Sequence, residues 1–193
     1  MLVHLYYGEG KGKSTAAAGL ALRALSAGFR VYMVRFLKGG GPESGEVALL
    51  KKCGAIIVDG KTTDKFTFRM TESEKEETRL RQDGLLAEFV MDSDLGAGAF
   101  GAAGDTVPDG SESDDKTSEL LVLDEALAAV NYGLLSEELL KRVVTERPEN
   151  REIVLTGRGP KEWMLEEADY ITEFRCERHP YDKGIQARRG IEL

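Results

Sequence analysis

Leu2-Val3-His4-Leu5-Tyr6-Tyr7-Gly8-Glu9-Gly10-Lys11-Gly12-Lys13-Ser14-Thr15 opens the chain, and Ala16-Ala17-Ala18-Gly19-Leu20-Ala21-Leu22-Arg23-Ala24-Leu25 follows directly. An apolar run halts at a glycine-rich turn, a Gly-Lys-Ser-Thr comes next, and then a stretch of strong helix formers. Strand, loop and helix in that order are the context in which such a turn becomes a phosphate-binding P-loop. Backbone N–H groups of the loop and of the helix N-terminus then face an anion. Lys13 adds a positive charge, and the Ser14 hydroxyl is suited to Mg²⁺. The usual pattern has four residues between its first glycine and the Gly-Lys-Ser. Here only Glu9, Gly10 and Lys11 stand between Gly8 and Gly12, so the loop is one residue short.

Working outward, residues 30–37 read as a second strand, with Gly28 ending the helix before it. Lys38-Gly39-Gly40-Gly41-Pro42 is a loop at that strand's carboxyl end, where open α/β sheets gather ligands, so Lys38 is a candidate to assist with phosphate. A short helix (residues 45–52) and a short buried strand (residues 55–58) follow. A loop carrying Phe66-Thr67-Phe68 leads to a helix over residues 72–91 that opens on the capping box Thr71-Glu72-Ser73-Glu74. Leu120-Leu121-Val122-Leu123-Asp124-Glu125 is an apolar strand ending in two carboxylates, a Walker B pattern that brings acids to the edge of a nucleotide site. A helix over residues 126–131 follows, then another from an N-cap at Ser136. The strand Ile153-Val154-Leu155-Thr156 ends in Gly157-Arg158-Gly159, an arginine placed to reach phosphate, and residues 170–174 read as a last strand before a polar, turn-rich tail. Strands alternating with helices predict an α/β fold: a P-loop NTPase-like, mostly parallel sheet with helices on both faces.

The whole chain, residues 1–193, reads as a single domain with an acidic, flexible insertion at about residues 92–119. That insertion has five glycines and few large apolar residues. Its eight acidic residues and one lysine carry −7 of the net charge of −8. Such a composition buries too little apolar surface to offset the entropy of ordering. With the remainder near neutral and no basic stripe, nucleic-acid binding is not expected. No apolar run reaches the ~18 residues of a membrane span, and with no basic n-region or cleavage site before the first strand no signal peptide is expected. Cys53 and Cys176 read as two reduced thiols of a cytoplasmic protein.

Taken together, these residues resemble one family closely, the P-loop class of ATP:corrinoid adenosyltransferases of cobalamin synthesis and salvage. The resemblance rests on Gly8-Glu9-Gly10-Lys11-Gly12-Lys13-Ser14-Thr15, Arg35-Phe36-Leu37-Lys38-Gly39, Val122-Leu123-Asp124-Glu125, Asn131-Tyr132-Gly133, Arg147-Pro148-Glu149 and Thr156-Gly157-Arg158-Gly159. It extends to the tail His179-Pro180-Tyr181-Asp182-Lys183-Gly184-Ile185-Gln186-Ala187-Arg188-Arg189-Gly190-Ile191-Glu192. It implies transfer of the 5′-deoxyadenosyl group of ATP to Co(I) of a reduced corrinoid, such as cob(I)alamin or a cob(I)inamide-type compound, with release of triphosphate. ATP then lies in the reverse sense to that of ordinary P-loop enzymes.

By the same resemblance Gly8 through Thr15 bind ATP, Lys13, Arg158 and Glu125 are catalytic, and Ser14, Asp124 and Glu125 hold Mg²⁺. Phe66 and Phe68 face the corrin and help remove its lower axial ligand; many relatives have Trp where this chain has Phe68. A homodimer and a flavin reductant protein are the expected partners. Two departures stand out. The chain starts almost at its first strand, so the extension that covers the site in some relatives is expected to be absent, and the acidic insertion is longer than expected. The alternatives are a P-loop kinase or ATPase acting at the γ-phosphate, and a nucleotide- or corrinoid-binding protein without turnover. A thymidine-kinase-like enzyme is disfavoured because two cysteines cannot build its four-cysteine zinc site.

Overall fold

Alternating apolar segments assemble into one six-stranded sheet in which every recorded pairing is parallel. The computed structural model describes residues 1–39, 44–61, 63–91, 117–188 and 190–191. The strands are β1 (Val3–Tyr7), β2 (Arg30–Arg35), β3 (Ile56–Asp59), β4 (Glu119–Asp124), β5 (Arg151–Gly157) and β6 (Tyr170–Glu173), in the order β3-β2-β4-β5-β1-β6. The helices are α1 (Lys13–Ser26), α2 (Gly45–Lys52), α3 (Glu72–Met91), α4 (Ala126–Asn131), α5 (Glu137–Thr145) and α6 (Glu162–Glu167).

Period-two alternation along the strands sorts their side chains between two cores. Leu121 and Leu123 of β4 face the layer of α3 to α6, packing with Leu86, Leu127, Leu140 and Trp163. Leu120 and Val122 face α1 and α2, against Ala17, Ala21, Val47 and Leu50. Strands covered on both faces read as near-continuous apolar runs, and all six residues of β4 are buried. The alanines of α1 let that helix lie close on the sheet. It ends where Gly28 takes φ +84° and donates to the Leu25 carbonyl at 3.0 Å, the left-handed position that glycine adopts without penalty. The capping box forms as expected: Thr71 N–H donates to Glu74 Oε2 (2.8 Å) and Glu74 N–H to Thr71 Oγ1 (3.3 Å).

Glu119, the last residue of the expected insertion, lies in the sheet. Glu119 is the first residue of β4 and is buried, because Arg151, its register partner on β5, donates to Glu119 Oε2 at 2.8 Å. Ser118 already accepts a hydrogen bond from Arg30 N–H. A polar residue at the end of an acidic run thus becomes a strand residue through a long-range ion pair. Residues 92–116 lie outside the described residues, as do residues 40–42 of the glycine loop and Arg189 and Glu192 of the tail motif. Among the described residues no helix is long and apolar enough to cross a membrane, and Cys53 and Cys176 are free and exposed.

Candidate functional site

The sheet order makes β4, β5 and β1 neighbours, so the segments that leave their carboxyl ends meet at one edge. After β1, the glycine-rich turn is pressed against the chain that leaves β6. Phe174 N–H donates to the Tyr7 carbonyl and Gly10 N–H to the Phe174 carbonyl, each at 2.7 Å. A Cβ at Gly8, where φ is +112°, would sit 2.5 Å from the Phe174 carbonyl oxygen, and one at Gly10 would sit 2.7 Å from that of Arg175. Both glycines are therefore required by the close approach of another backbone. Lys13 begins α1 and folds back over the turn, where its Nζ donates to the carbonyls of Gly8 (2.7 Å) and Gly10 (3.0 Å). Among the described residues no side chain caps the first turn of α1, whose N–H groups and dipole favour an anion. Ser14 is half-buried, while Glu9, Lys11 and Thr15 are exposed.

After β4, Asp124 is buried and accepts a hydrogen bond from Thr156 Oγ1 of β5 at 2.7 Å. The same hydroxyl oxygen accepts the N–H of Glu125 at 2.9 Å. Glu125 takes φ +59°, the left-handed region, and among the described residues no other non-glycine has a positive φ. A non-glycine residue is held there only when its surroundings over-determine it, and such positions cluster at functional sites. After β5, Asn131 Nδ2 donates to the carbonyls of Arg158 (3.1 Å) and Gly159 (2.8 Å). The Arg158 guanidinium meets Glu9 Oε2 of the glycine-rich turn at 2.9 Å in an exposed pair.

The charges at this edge act on one another. Burial lowers the Lys13 pKa and the Arg158 cation lowers it further, against the opposing pull of Glu125, Glu9 and Asp124. Burial raises the Glu125 pKa, as does the neighbouring Asp124, while Lys13, Arg158 and Lys38 lower it. Perturbed groups of both signs gathered at neighbouring strand ends mark this edge as the candidate functional site.

Thus the residues expected from the P-loop, the Walker B strand and the Gly-Arg-Gly turn share one site. Phe66 and Phe68 lie elsewhere along the same sheet edge, on the segment after β3, which is four strands from β1 in the sheet order. Their rings stack with centroids 5.6 Å apart at an interplanar angle of 12°. They are 67% and 80% exposed, so they are not core packing. Sequence reasoning overlooked the role of Thr156, the clamp by Asn131 and the backing by residues 174–175. The signal for the first is a hydroxyl residue ending a buried strand directly before Gly-Arg-Gly; the third is a backbone contact and carries no signal in residue type.

Comparison with known proteins bears on this site. A family model described as ATP:corrinoid adenosyltransferase BtuR/CobO/CobP matches residues 1–193. A corrinoid adenosyltransferase of Pseudomonas aeruginosa is 29% identical over 194 residues, spanning 100% of this chain and 83% of the relative. One from Escherichia coli K12 is likewise 29% identical, spanning 99% and 85%. The corrinoid adenosyltransferase CobA of Salmonella typhimurium is 29% identical over 199 residues, with the same two coverages.

Proposed function

This chain belongs to the ATP:corrinoid adenosyltransferase BtuR/CobO/CobP family, and from that premise we propose that it transfers the 5′-deoxyadenosyl group of ATP to Co(I) of a reduced corrinoid. The corrinoid is a substrate, and its cobalt brings the nucleophilic electron pair. A Co–C5′ bond forms as the C5′–O bond breaks, and triphosphate leaves with the electrons of that bond. No general base is required, because Co(I) carries no proton to remove. The protein's task is to align C5′ with the cobalt and to stabilise a highly charged leaving group.

The observation that carries this reading is the meeting, at adjacent strand ends, of Lys13 on its glycine-rich turn, the Thr156-anchored Asp124 with Glu125, and Arg158. Lys13 lies over the turn and neutralises the triphosphate from within the cradle. Arg158 exchanges its exposed contact with Glu9 for phosphate oxygen. The donor set of Ser14, Asp124 and Glu125 is all oxygen with two carboxylates, which fits Mg²⁺ shared with phosphate and water. When bound, Mg²⁺ supplies further positive charge to the departing triphosphate. Phe66 and Phe68 form an exposed apolar platform suited to a corrin face.

The test is anaerobic: the protein is mixed with Mg-ATP and chemically reduced cob(I)alamin, and both products are assayed. Light-sensitive adenosylcobalamin with an equal amount of triphosphate is expected. ADP and phosphate with an unchanged corrin would overturn the reading in favour of a γ-phosphate enzyme.

A further inference from the structure

Between β3 and α3 the chain carries a buried lysine that the chemistry above does not use. Lys61 is 8% exposed, and burial lowers its pKa, with the nearby Lys38 cation adding to this and Asp64 opposing it. Its backbone is fixed on one side: Lys61 N–H donates to the Lys38 carbonyl at 3.0 Å, and Gly39 approaches so closely that a Cβ there would strike the Lys61 carbonyl. Its ammonium is bonded to the backbone carbonyl of Lys65 at 2.5 Å. Burying an ammonium is unfavourable unless it is well bonded, and an apolar residue would fill the same space without that cost. What the lysine adds is a donor that holds one backbone point.

That point is the residue before Phe66. Lys65 also pairs through its own ammonium with Glu74 Oε1 at 2.5 Å. The other oxygen of Glu74 accepts both the N–H (2.8 Å) and the hydroxyl (3.1 Å) of Thr71. The carboxyl is pulled down to about 2, first by the Lys65 hydrogen bond and then by Thr71 N–H. Between these anchors, residues 66–70 form one tight turn: Arg69 N–H donates to the Phe66 carbonyl and Met70 N–H to that of Thr67. Met70 is buried in the core while Phe66 and Phe68 stand exposed and stacked. Exposed aromatic rings on a loop would ordinarily scatter among rotamers and fold onto any apolar surface nearby. Here the turn is fastened at its entry by Lys61 and at its exit by the capping box and Met70.

We infer that Lys61 is a positioning residue: its buried ammonium, with the Lys65–Glu74–Thr71 brace, holds Phe66 and Phe68 in the arrangement that strips the lower axial ligand from the corrin. The inference rests on the proposed reading of those two rings as corrin-facing. It separates two steps. Cob(II)alamin must lose its axial nitrogen before it is easily reduced, and that step needs the held rings. Cob(I)alamin has already lost it, so transfer from preformed Co(I) does not.

The experiment uses the full chain with Mg-ATP and cob(II)alamin. Electron paramagnetic resonance reports the axial-nitrogen coupling, and adenosylation of chemically prereduced cob(I)alamin is measured in parallel. Lys61→Met is expected to lower the ligand-free Co(II) fraction about fivefold, because a site held competent only part of the time responds in proportion to that part. Its transfer from cob(I)alamin is expected to stay near the wild-type rate. Lys61→Gln, which offers the Lys65 carbonyl only a shorter, neutral donor, is expected to shift the spectrum in the same direction and decides the matter should Lys61→Met fail to fold. Wild-type spectra in both variants, or equal loss in the two assays, would overturn the role of Lys61. If the wild-type protein adenosylates no cob(I)alamin, or if Phe66→Ala and Phe68→Ala leave the wild-type Co(II) spectrum unchanged, the underlying reading itself fails.

Discussion

Replacing Thr156 by valine keeps the shape of the side chain and removes one oxygen atom. That oxygen donates to the buried carboxylate of Asp124 at 2.7 Å and accepts the Glu125 N–H at 2.9 Å. A hydrogen bond to a charged group contributes about 1.5–3 kcal/mol, and a buried donor left unpaired costs about 1–3 kcal/mol. Asp124 is 4% exposed, so the full charged value applies there, whereas the Glu125 N–H is less enclosed and water can partly replace its bond. A destabilisation of about 3 kcal/mol follows, equivalent to a Tm lower by roughly 6–12 °C in a chain of this length. Thr156→Ser retains the hydroxyl, loses one methyl group, and is expected to cost about 1 kcal/mol. Urea unfolding of both variants measures the difference, and ATP-dependent adenosylation should fall far more in Thr156→Val, because Glu125 loses the contact that fixes its left-handed backbone. Unfolding of Thr156→Val within about 1 kcal/mol of wild type, or a Thr156→Ser no closer to wild type than Thr156→Val, would rule out this role for the hydroxyl.

Three further expectations follow from the same structure. Arg151→Met leaves Glu119 buried without its cation and should cost about 3–5 kcal/mol in urea unfolding, whereas the double variant Arg151→Met/Glu119→Leu should recover most of that loss. Glu125 has a raised pKa, so its contribution to stability is present below its ordinary value of 4.5 and is lost as pH rises through the folded-state value. Glu125→Gln should therefore unfold at a higher temperature than wild type near neutral pH, a gain that vanishes in acid, and it should transfer no adenosyl group; scanning calorimetry across pH checks the sign. Gly10→Ala forces a Cβ to within 2.7 Å of the Arg175 carbonyl oxygen, and calorimetric titration should show weakened Mg-ATP binding.

Much of this site is written locally in the chain. The glycine-rich turn between an apolar run and a helix, and the two carboxylates that end β4, each declare themselves within about ten residues through strand, turn and helix chemistry. The Gly28 stop and the Thr71–Glu74 capping box are legible for the same reason, since each contact spans three or four residues. What is not legible is the consequence of strand order. Thr156 becomes the anchor of Asp124 only because β5 lies next to β4, and no local pattern encodes that neighbour. Glu119 has its partner 32 residues downstream, so from composition alone it belongs to the acidic run before it. The pressure of Phe174 and Arg175 on the turn is backbone against backbone, and the exposure of Phe66 and Phe68 follows from anchors on either side of them. Those features arise from packing between distant segments, where residue type carries little information.

The turn from Gly8 to Thr15 is proposed to hold the triphosphate whose departure accompanies Co–C bond formation, with Lys13 as its innermost charge. The most direct test compares wild type and Lys13→Ala for adenosylcobalamin and triphosphate formed from cob(I)alamin and saturating Mg-ATP. Loss of a preorganised charge at the leaving group should lower the transfer rate by about a hundredfold or more, with both products falling together. Turnover by Lys13→Ala near the wild-type rate would contradict the assignment of the phosphate site.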